Sequence, residues 1–559
     1  MKRGKQSELF FDLGRYQTRV DGRLAEWKEK GFLKRLWEKD PTLWFPTPVP
    51  EITDRLGWLT LPKTMSDNLD GVLRLAEGVK ADGLAQVVLL GMGGSSLTPE
   101  VFARSFGSRA GYPRLVILDS THPEAVRSLE AGIDLRETLF IVSSKSGTTL
   151  ETLSLFKYFW KRASDQVSTP GRHFIAISDP GSPLTELAGK RGFRFVVPAP
   201  PDVGGRYSAL SVFGLVPAAL IGLDVHKLME SASLEAAECA PGVSEMKVAG
   251  LSLGAALGEL AGDRNKVTLL TPPELSSFSD WLEQLIAEST GKEGKGIFPV
   301  VSEPYALPGS YGKDRLFVGI FLRNARNDKL ENQFSKIEAC GLPTIRIDLE
   351  DLYTLGREFY RWEMAVASAG AVMGIHPFNQ PDVQLAKDFA KRIMLESTGN
   401  ADPHERDLDP ADTLTADDQP ALASALNKWV VQVQQGDYIA LQAYLAPSPP
   451  LTAALQGIRS SLLKKTRMAT SFGYGPRFLH STGQLHKGGP NNGLFLQLVD
   501  DTGKKVPVPE SGYAFNDVIR AQAVGDYRAL LQRRRRVLRI DLREKALEGL
   551  QSILAHVSR

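Results

Sequence analysis

Apolar positions along this chain change their spacing near residue 86. Residues 1–70 carry apolar side chains at helical intervals, including Trp27, Trp37, Trp44 and Trp58, with a proline-containing break over 46–50. This predicts an N-terminal helical extension packed on a core. From Gln86, short runs that are apolar at every position alternate with helix-length amphipathic segments. The runs are 87–90, 115–118, 139–142, 174–177 and 193–197; between them lie 99–106, 123–131, 150–163 and 183–191. Strands without polar alternation are buried on both faces, as in a parallel sheet covered by helices. Residues 71–225 therefore read as a doubly wound α/β domain of five strands, left through a helical stretch at 207–223. A second series, 267–270, 296–301, 316–322 and 344–347, predicts another such domain over 226–395, with a long helix near 353–373. The acidic stretch 396–419 reads as a linker or long surface loop. Residues 420–559 form a C-terminal α/β segment with strand candidates at 494–499 and 537–540, expected to pack back on the second domain.

Composition adds exclusions. Of 559 residues, 42% are apolar and 24% charged, as in ordinary soluble globular chains. A formal net charge of +2 gives no reason to expect a nucleic-acid or anionic-membrane partner. The run Arg533-Arg534-Arg535-Arg536 reads as a solvated helix end. Two cysteines, Cys239 and Cys340, build no disulfide framework and fit a reducing compartment. The first residues lack the apolar core of a signal peptide, and no apolar stretch approaches the roughly 20 residues that span a bilayer. A soluble cytoplasmic protein is expected.

The candidate chemistry begins at Ser144-Lys145-Ser146-Gly147-Thr148-Thr149, a hydroxyl-rich turn between a buried strand and a helix. Such a turn offers backbone N–H groups and a helix N-terminus to an anion, at the strand end where open α/β sheets bind ligands. One hydroxyl suffices for a helix cap; four within six residues favour a phosphate. Gly91-Met92-Gly93-Gly94-Ser95-Ser96 makes a similar turn after the first strand. Ser96 stands where a dinucleotide motif needs glycine, and no P-loop lysine follows, so nucleotide binding is disfavoured. Gly204-Gly205-Arg206 sets an arginine at the start of an apolar helix, suited to an anion. Gln284 and Glu288 share one helix face, and Gln380 and Lys387 share another. Taken alone, these read first as a surface ion pair, a solvated carboxylate and a snorkelling lysine.

Together the blocks resemble phosphoglucose isomerase. Gly-Met-Gly-Gly-Ser-Ser at 91–96, Ser-Lys-Ser-Gly-Thr-Thr-Leu-Glu-Thr at 144–152 and Val-Gly-Gly-Arg-Tyr-Ser at 203–208 carry the likeness. So do Gln284 with Glu288-Ser-Thr-Gly-Lys, and Pro-Phe-Asn-Gln-Pro-Asp-Val-Gln-Leu-Ala-Lys at 377–387. The chain looks especially like the isomerase half of bacterial transaldolase–phosphoglucose isomerase fusions, without the transaldolase half; association with a separate transaldolase is a partner that likeness raises. The resemblance implies two sugar-isomerase (SIS-type) domains with the active site between them, completed by a dimer partner, and neither metal nor organic cofactor. It implies a sugar-phosphate substrate and interconversion of glucose 6-phosphate and fructose 6-phosphate through a cis-enediol. Gly94, Ser95, Ser144, Ser146, Thr149 and Gly205 match phosphate or sugar contacts, with Lys145 acting through its backbone. Glu288 matches the base, Arg206 the group facing enediolate charge, Lys387 a ring-opening lysine, and Gln284 and Gln380 substrate-ordering amides.

Two departures stand out. Asp382 occupies a position where the family has a small residue. Residues 297–322, where the ring-opening histidine belongs, contain no histidine. Leu479-His480-Ser481-Thr482-Gly483-Gln484 resembles the block around that histidine, which suggests that it has moved to the C-terminal segment; His376 is the competitor. Two further readings are an isomerase of another sugar phosphate, such as mannose 6-phosphate, and a non-catalytic SIS module sensing sugar phosphates. The latter needs no base, so Glu288, Arg206 and Lys387 argue against it.

Overall fold

The structure, a computed structural model, describes residues 7–397 and 413–558. Fifteen strands build three five-stranded sheets. The N-terminal extension is not wholly helical: it opens with β1 (Ser7–Asp12). The first domain contributes β2 (Gln86–Gly91), β3 (Arg114–Leu118), β4 (Thr138–Ser143), β5 (Phe174–Ser178) and β6 (Phe195–Pro198). These form a parallel sheet in the order β3-β2-β4-β5-β6. β2 and β4 are buried almost throughout, which is why neither shows polar alternation.

The second domain contributes β7 (Lys266–Leu270), β8 (Phe298–Val300), β9 (Arg315–Leu322) and β10 (Thr344–Leu349). Its sheet runs β1-β10-β9-β7-β8, parallel except for β1, which pairs antiparallel with β10 from Ser7↔Leu349 to Asp12↔Thr344. The extension is thus sewn into the second domain. Its tryptophans reinforce the seam: Trp37 Nε1 donates to the Cys239 carbonyl at 2.7 Å, and Trp44 Nε1 to that of Ala367 at 2.9 Å. One continuous core runs through the extension and both domains.

The C-terminal segment is a third doubly wound sheet, where the sequence suggested only two strands. β11 (Leu414–Thr415), β12 (Tyr438–Tyr444), β13 (Ala469–Tyr474), β14 (Gly493–Val499) and β15 (Arg536–Asp541) run parallel in the order β11-β15-β14-β12-β13. The acidic stretch 396–419 falls mostly outside the described residues, and its end is β11. This domain packs on both others. Phe298 stacks on Tyr438 with ring centroids 3.9 Å apart, while Val506, Val508 and Phe515 join the apolar cluster of the first domain. The arginine run is a solvated helix end only in part: Arg533 and Arg534 are exposed just past the helix Phe515–Gln532, but three of the four side chains are engaged. Arg533 pairs with Asp382, Arg535 donates to three backbone carbonyls, and Arg536 grips Asp437 through two 2.9 Å bonds. Among the described residues, no helix is long and apolar enough to cross a membrane.

Candidate active site

β2 delivers the first glycine turn. Gly93 adopts φ 57°, and the following helix begins at Gly94 rather than near Pro99, so Ser95 and Ser96 lie in its first turn. The glycines are required by crowding. A Cβ on Gly94 would lie 2.0 Å from the Gly205 carbonyl oxygen, and one on Gly93 2.9 Å from Gln284 Nε2 and 3.2 Å from His480 Cβ. The turn is where four distant segments meet. Ser96 is turned inward, its Oγ donating to the Gly93 carbonyl at 3.1 Å and to Asp119 at 3.2 Å.

β4 delivers the hydroxyl turn. Ser144 N–H donates to the Ile177 carbonyl at 3.1 Å, and Gly147, at φ 67°, closes the loop onto Ser144. The helix Leu150–Ser164 then starts at Thr149, whose side chain makes no capping bond. The hydroxyls pair with one another instead, Ser144 with Thr149 at 2.9 Å and Ser146 with Thr148 at 3.0 Å. They and the first-turn amides of the helix are arranged for an anion. The Lys145 side chain is drawn away by Asp179, through two 2.8 Å bonds, which leaves its backbone to the turn.

Arg206 is 3% exposed and ties three segments together. Its Nε donates to Ser289 Oγ at 2.8 Å and its Nη2 to the Pro377 and Asn379 carbonyls at 2.7 and 2.9 Å. Nη1 donates to Gln380 Oε1 at 3.1 Å and lies 3.2 Å from Glu288 Oε1. Glu288, near the end of the helix Ser276–Thr290, is held on its other oxygen by Gln284 Nε2 at 3.0 Å. The same Gln284 nitrogen donates to the His480 carbonyl at 2.8 Å. Both carboxylate oxygens are therefore fixed by donors.

His480 arrives from the third domain, on a turn that follows β13. Its Nε2 bonds Glu151 Oε1 at 2.8 Å. Glu151 lies in the first turn of the helix that follows the hydroxyl turn and also accepts Gln522 Nε2 at 2.7 Å. Burial pushes its carboxyl up. The charge and hydrogen bond of His480, a backbone N–H and the charge of Lys387 outweigh this and hold it below the usual range. Lys387 itself is exposed on the helix Pro381–Ser397. His376 is committed to structure: Nδ1 accepts the Phe378 and Asn379 amides at 3.1 and 3.3 Å, and Nε2 bonds the Pro50 carbonyl at 2.8 Å. Burial lowers its affinity for a proton.

Three residues escaped sequence reasoning. Glu151 and Ser289 stand inside blocks already singled out, but only a folded chain shows that they meet His480 and Arg206. Arg477, three residues before His480, anchors the histidine turn on Glu100 and, at 2.9 Å, on Asp119. Asp382 does not disturb its turn; it is a junction, accepting Gln484 Nε2 at 2.7 Å while its own N–H donates to Gln484 Oε1 at 2.9 Å. Among the described residues no group of three or more His, Cys, Asp or Glu side chains is arranged to hold a metal ion.

The chain is similar to known proteins. The Phosphoglucose isomerase family model matches residues 67–296. A probable glucose-6-phosphate isomerase of Methanococcus maripaludis is 28% identical over 386 residues, covering 62% of this chain and 86% of that protein. The glucose-6-phosphate isomerase of Rubrobacter xylanophilus is 28% identical over 383 residues, covering 60% and 88%. The crystal structure of a glucose-6-phosphate isomerase from Chlamydia trachomatis shares the fold, with a TM-score of 0.59 at 18% identity over 72% of this chain and 90% of that one. Both turns, Arg206 and the Gln284–Glu288 helix lie within the region 67–296 that matches the Phosphoglucose isomerase family model, and over that region the chain is similar to this family.

Proposed function

We propose that the chain interconverts glucose 6-phosphate and fructose 6-phosphate by moving a proton between C1 and C2 through a cis-enediol. The observation that carries this reading is Glu288, a carboxylate fixed by Arg206 and Gln284, the latter also bonded to the His480 carbonyl, beside a turn suited to phosphate. The hydroxyls and amides at 144–149, with Ser95, hold the substrate's inert end. Fixing that end converts weak reactivity at the carbons into an intramolecular step. His480, steadied through Nε2 by Glu151, directs Nδ1 toward the ring oxygen and opens the ring with Lys387. Glu288 removes the C2 proton of the aldose and returns it to C1. Charge developing on the enediolate oxygens is met by Arg206, already oriented by four hydrogen bonds and the ion pair with Glu288 and needing no reorganisation.

The resemblance assigns completion of the site to a dimer partner. Here the C-terminal domain supports the opposite reading, that one chain suffices, since His480 arrives in cis. Free Cys239 and Cys340 accord with a cytoplasmic setting. Turnover of Glu288→Gln, His480→Ala and His376→Ala on ring-closed glucose 6-phosphate tests the reading. Glu288→Gln should abolish isomerisation while phosphosugar binding persists, and His480→Ala should lose far more activity than a folded His376→Ala. Unchanged kcat in Glu288→Gln would overturn the mechanism.

A further inference from the structure

A cavity of about 500 Å³ opens where the second domain meets the C-terminal domain. Three segments wall it: residues 292–294, just beyond the Glu288 helix; Asn379, Pro381 and Asp382, at the start of the Lys387 helix; and 487–489 with Arg533 and Arg535. None of the side chains assigned to the isomerase reaction lines it.

Two cations in this wall are buried without a direct ion pair to a described residue. Lys292 is 2% exposed, and its ammonium donates to the His376 carbonyl. Arg535 is 7% exposed; its Nε donates to the His486 carbonyl at 2.9 Å and its Nη2 to those of Lys487 and Gly489 at 2.8 and 2.7 Å. Neither forms an ion pair with a described residue, and the Nη1 group of Arg535 makes no hydrogen bond to one. The other two cations of the wall are neutralised, Lys487 by Asp526 at 2.5 Å and Arg533 by Asp382. The remaining carboxylate, Glu293, is exposed at the rim. Buried charges in folded proteins are normally paired, because neutral carbonyls replace only part of the lost hydration. Burial depresses the proton affinity of both groups, with Arg206 adding its repulsion at Lys292; the carboxylates of Glu288, Asp382 and Glu293, not bonded to Lys292, offset only part of this there, and Asp382 part of it at Arg535.

We infer that this cavity binds a small phosphate-bearing anion, at a site separate from the hydroxyl turn that grips the substrate. Lys292 and the free edge of Arg535 supply charge and donors, as in phosphate recognition generally, and the volume admits a pyrophosphate or a sugar phosphate. The occupant bridges the end of the Glu288 helix and the domain carrying His480. These are already stitched by Gly294 N–H to the Gly488 carbonyl and by Gln484 Nε2 to the Gly291 carbonyl, each 2.9 Å. Only the identity of the other phosphate site rests on the isomerase reading.

Calorimetric titration of the full chain with inorganic pyrophosphate tests the inference. Wild type should bind two equivalents, and Ser144→Ala/Thr149→Ala should keep one. In that double variant, Glu293→Gln should tighten binding roughly fivefold, the effect of one charge at a partly solvated site. Arg533→Gln, a rim substitution that also frees Asp382, should weaken it by at least as much. Absence of pyrophosphate binding in the double variant, or affinity indifferent to both charge changes, would overturn the inference. One equivalent in wild type and double variant alike, still sensitive to Glu293, would uphold this cavity and refute the hydroxyl turn as a phosphate grip.

Discussion

Replacing Glu151 by glutamine tests how the third domain is coupled to the chemistry. The substitution keeps the shape and one acceptor oxygen but removes the charge that faces His480. Oε1 receives two short bonds, from His480 Nε2 at 2.8 Å and Gln522 Nε2 at 2.7 Å. A hydrogen bond to a charged group contributes about 1.5–3 kcal/mol against about 1 for a neutral one. The loss is therefore about 1–2 kcal/mol, a factor of roughly 5–30. It should appear in kcat on ring-closed glucose 6-phosphate, because the phosphate grip and so KM are untouched, and the assay reads fructose 6-phosphate formation through a coupled enzyme. Stability carries a second signature. The Glu151 carboxyl is held below its ordinary value in the folded state, so its contribution is complete above the unfolded-state value and disappears as pH falls through the folded one. Wild type should melt above the variant near pH 7, and the two should converge only as pH falls below the folded-state value of that carboxyl. Unchanged kcat with unchanged melting would refute the coupling, and a defect confined to KM would instead assign Glu151 to phosphate binding.

Gly94→Ala should cripple activity and cost about 1–3 kcal/mol of stability in thermal melts, because the new methyl group meets the Gly205 carbonyl at 2.0 Å; a fully active, unshifted variant would contradict the crowding. Arg477→Met should leave KM near wild type but lower kcat, since the His480 turn loses its anchor on Glu100 and Asp119; equal activity in steady-state assays would show that the turn holds itself. Burial and the charge of Asp280 push the Glu283 carboxyl up to about 8. The folded state then keeps a proton that the unfolded chain releases above its ordinary value of 4.5. Wild-type stability should fall between those values as pH rises, and Glu283→Gln should flatten that slope in melts across the range.

Much of this molecule is written locally. The runs at 87–90 and 139–142 are apolar at every position because their strands lie inside a sheet covered on both faces, and that signal needs no tertiary context. The hydroxyl turn, the glycine turn and the spacing of Gln284 from Glu288 are equally local, since loop chemistry and helix periodicity are properties of neighbours. What failed was whatever depended on pairing across the chain. β1, whose exposure alternates only from Leu9 to Asp12, is a strand because β10 accepts it at an edge. β12 carries Gln442 in its middle, buried beside His486, and reads as neither clear strand nor clear helix until β13 and β14 flank it. The arginine run looked like a solvated face because its acceptors, Asp382, Asp437 and three carbonyls, lie in segments far from it in sequence. The residue types for the chemistry were legible in the chain. Their meeting, with Glu151 and Arg477 fixing a histidine delivered from a third domain, was decided only by tertiary packing, because hydrogen bonds and ion pairs depend on distance in space and leave no periodicity in sequence.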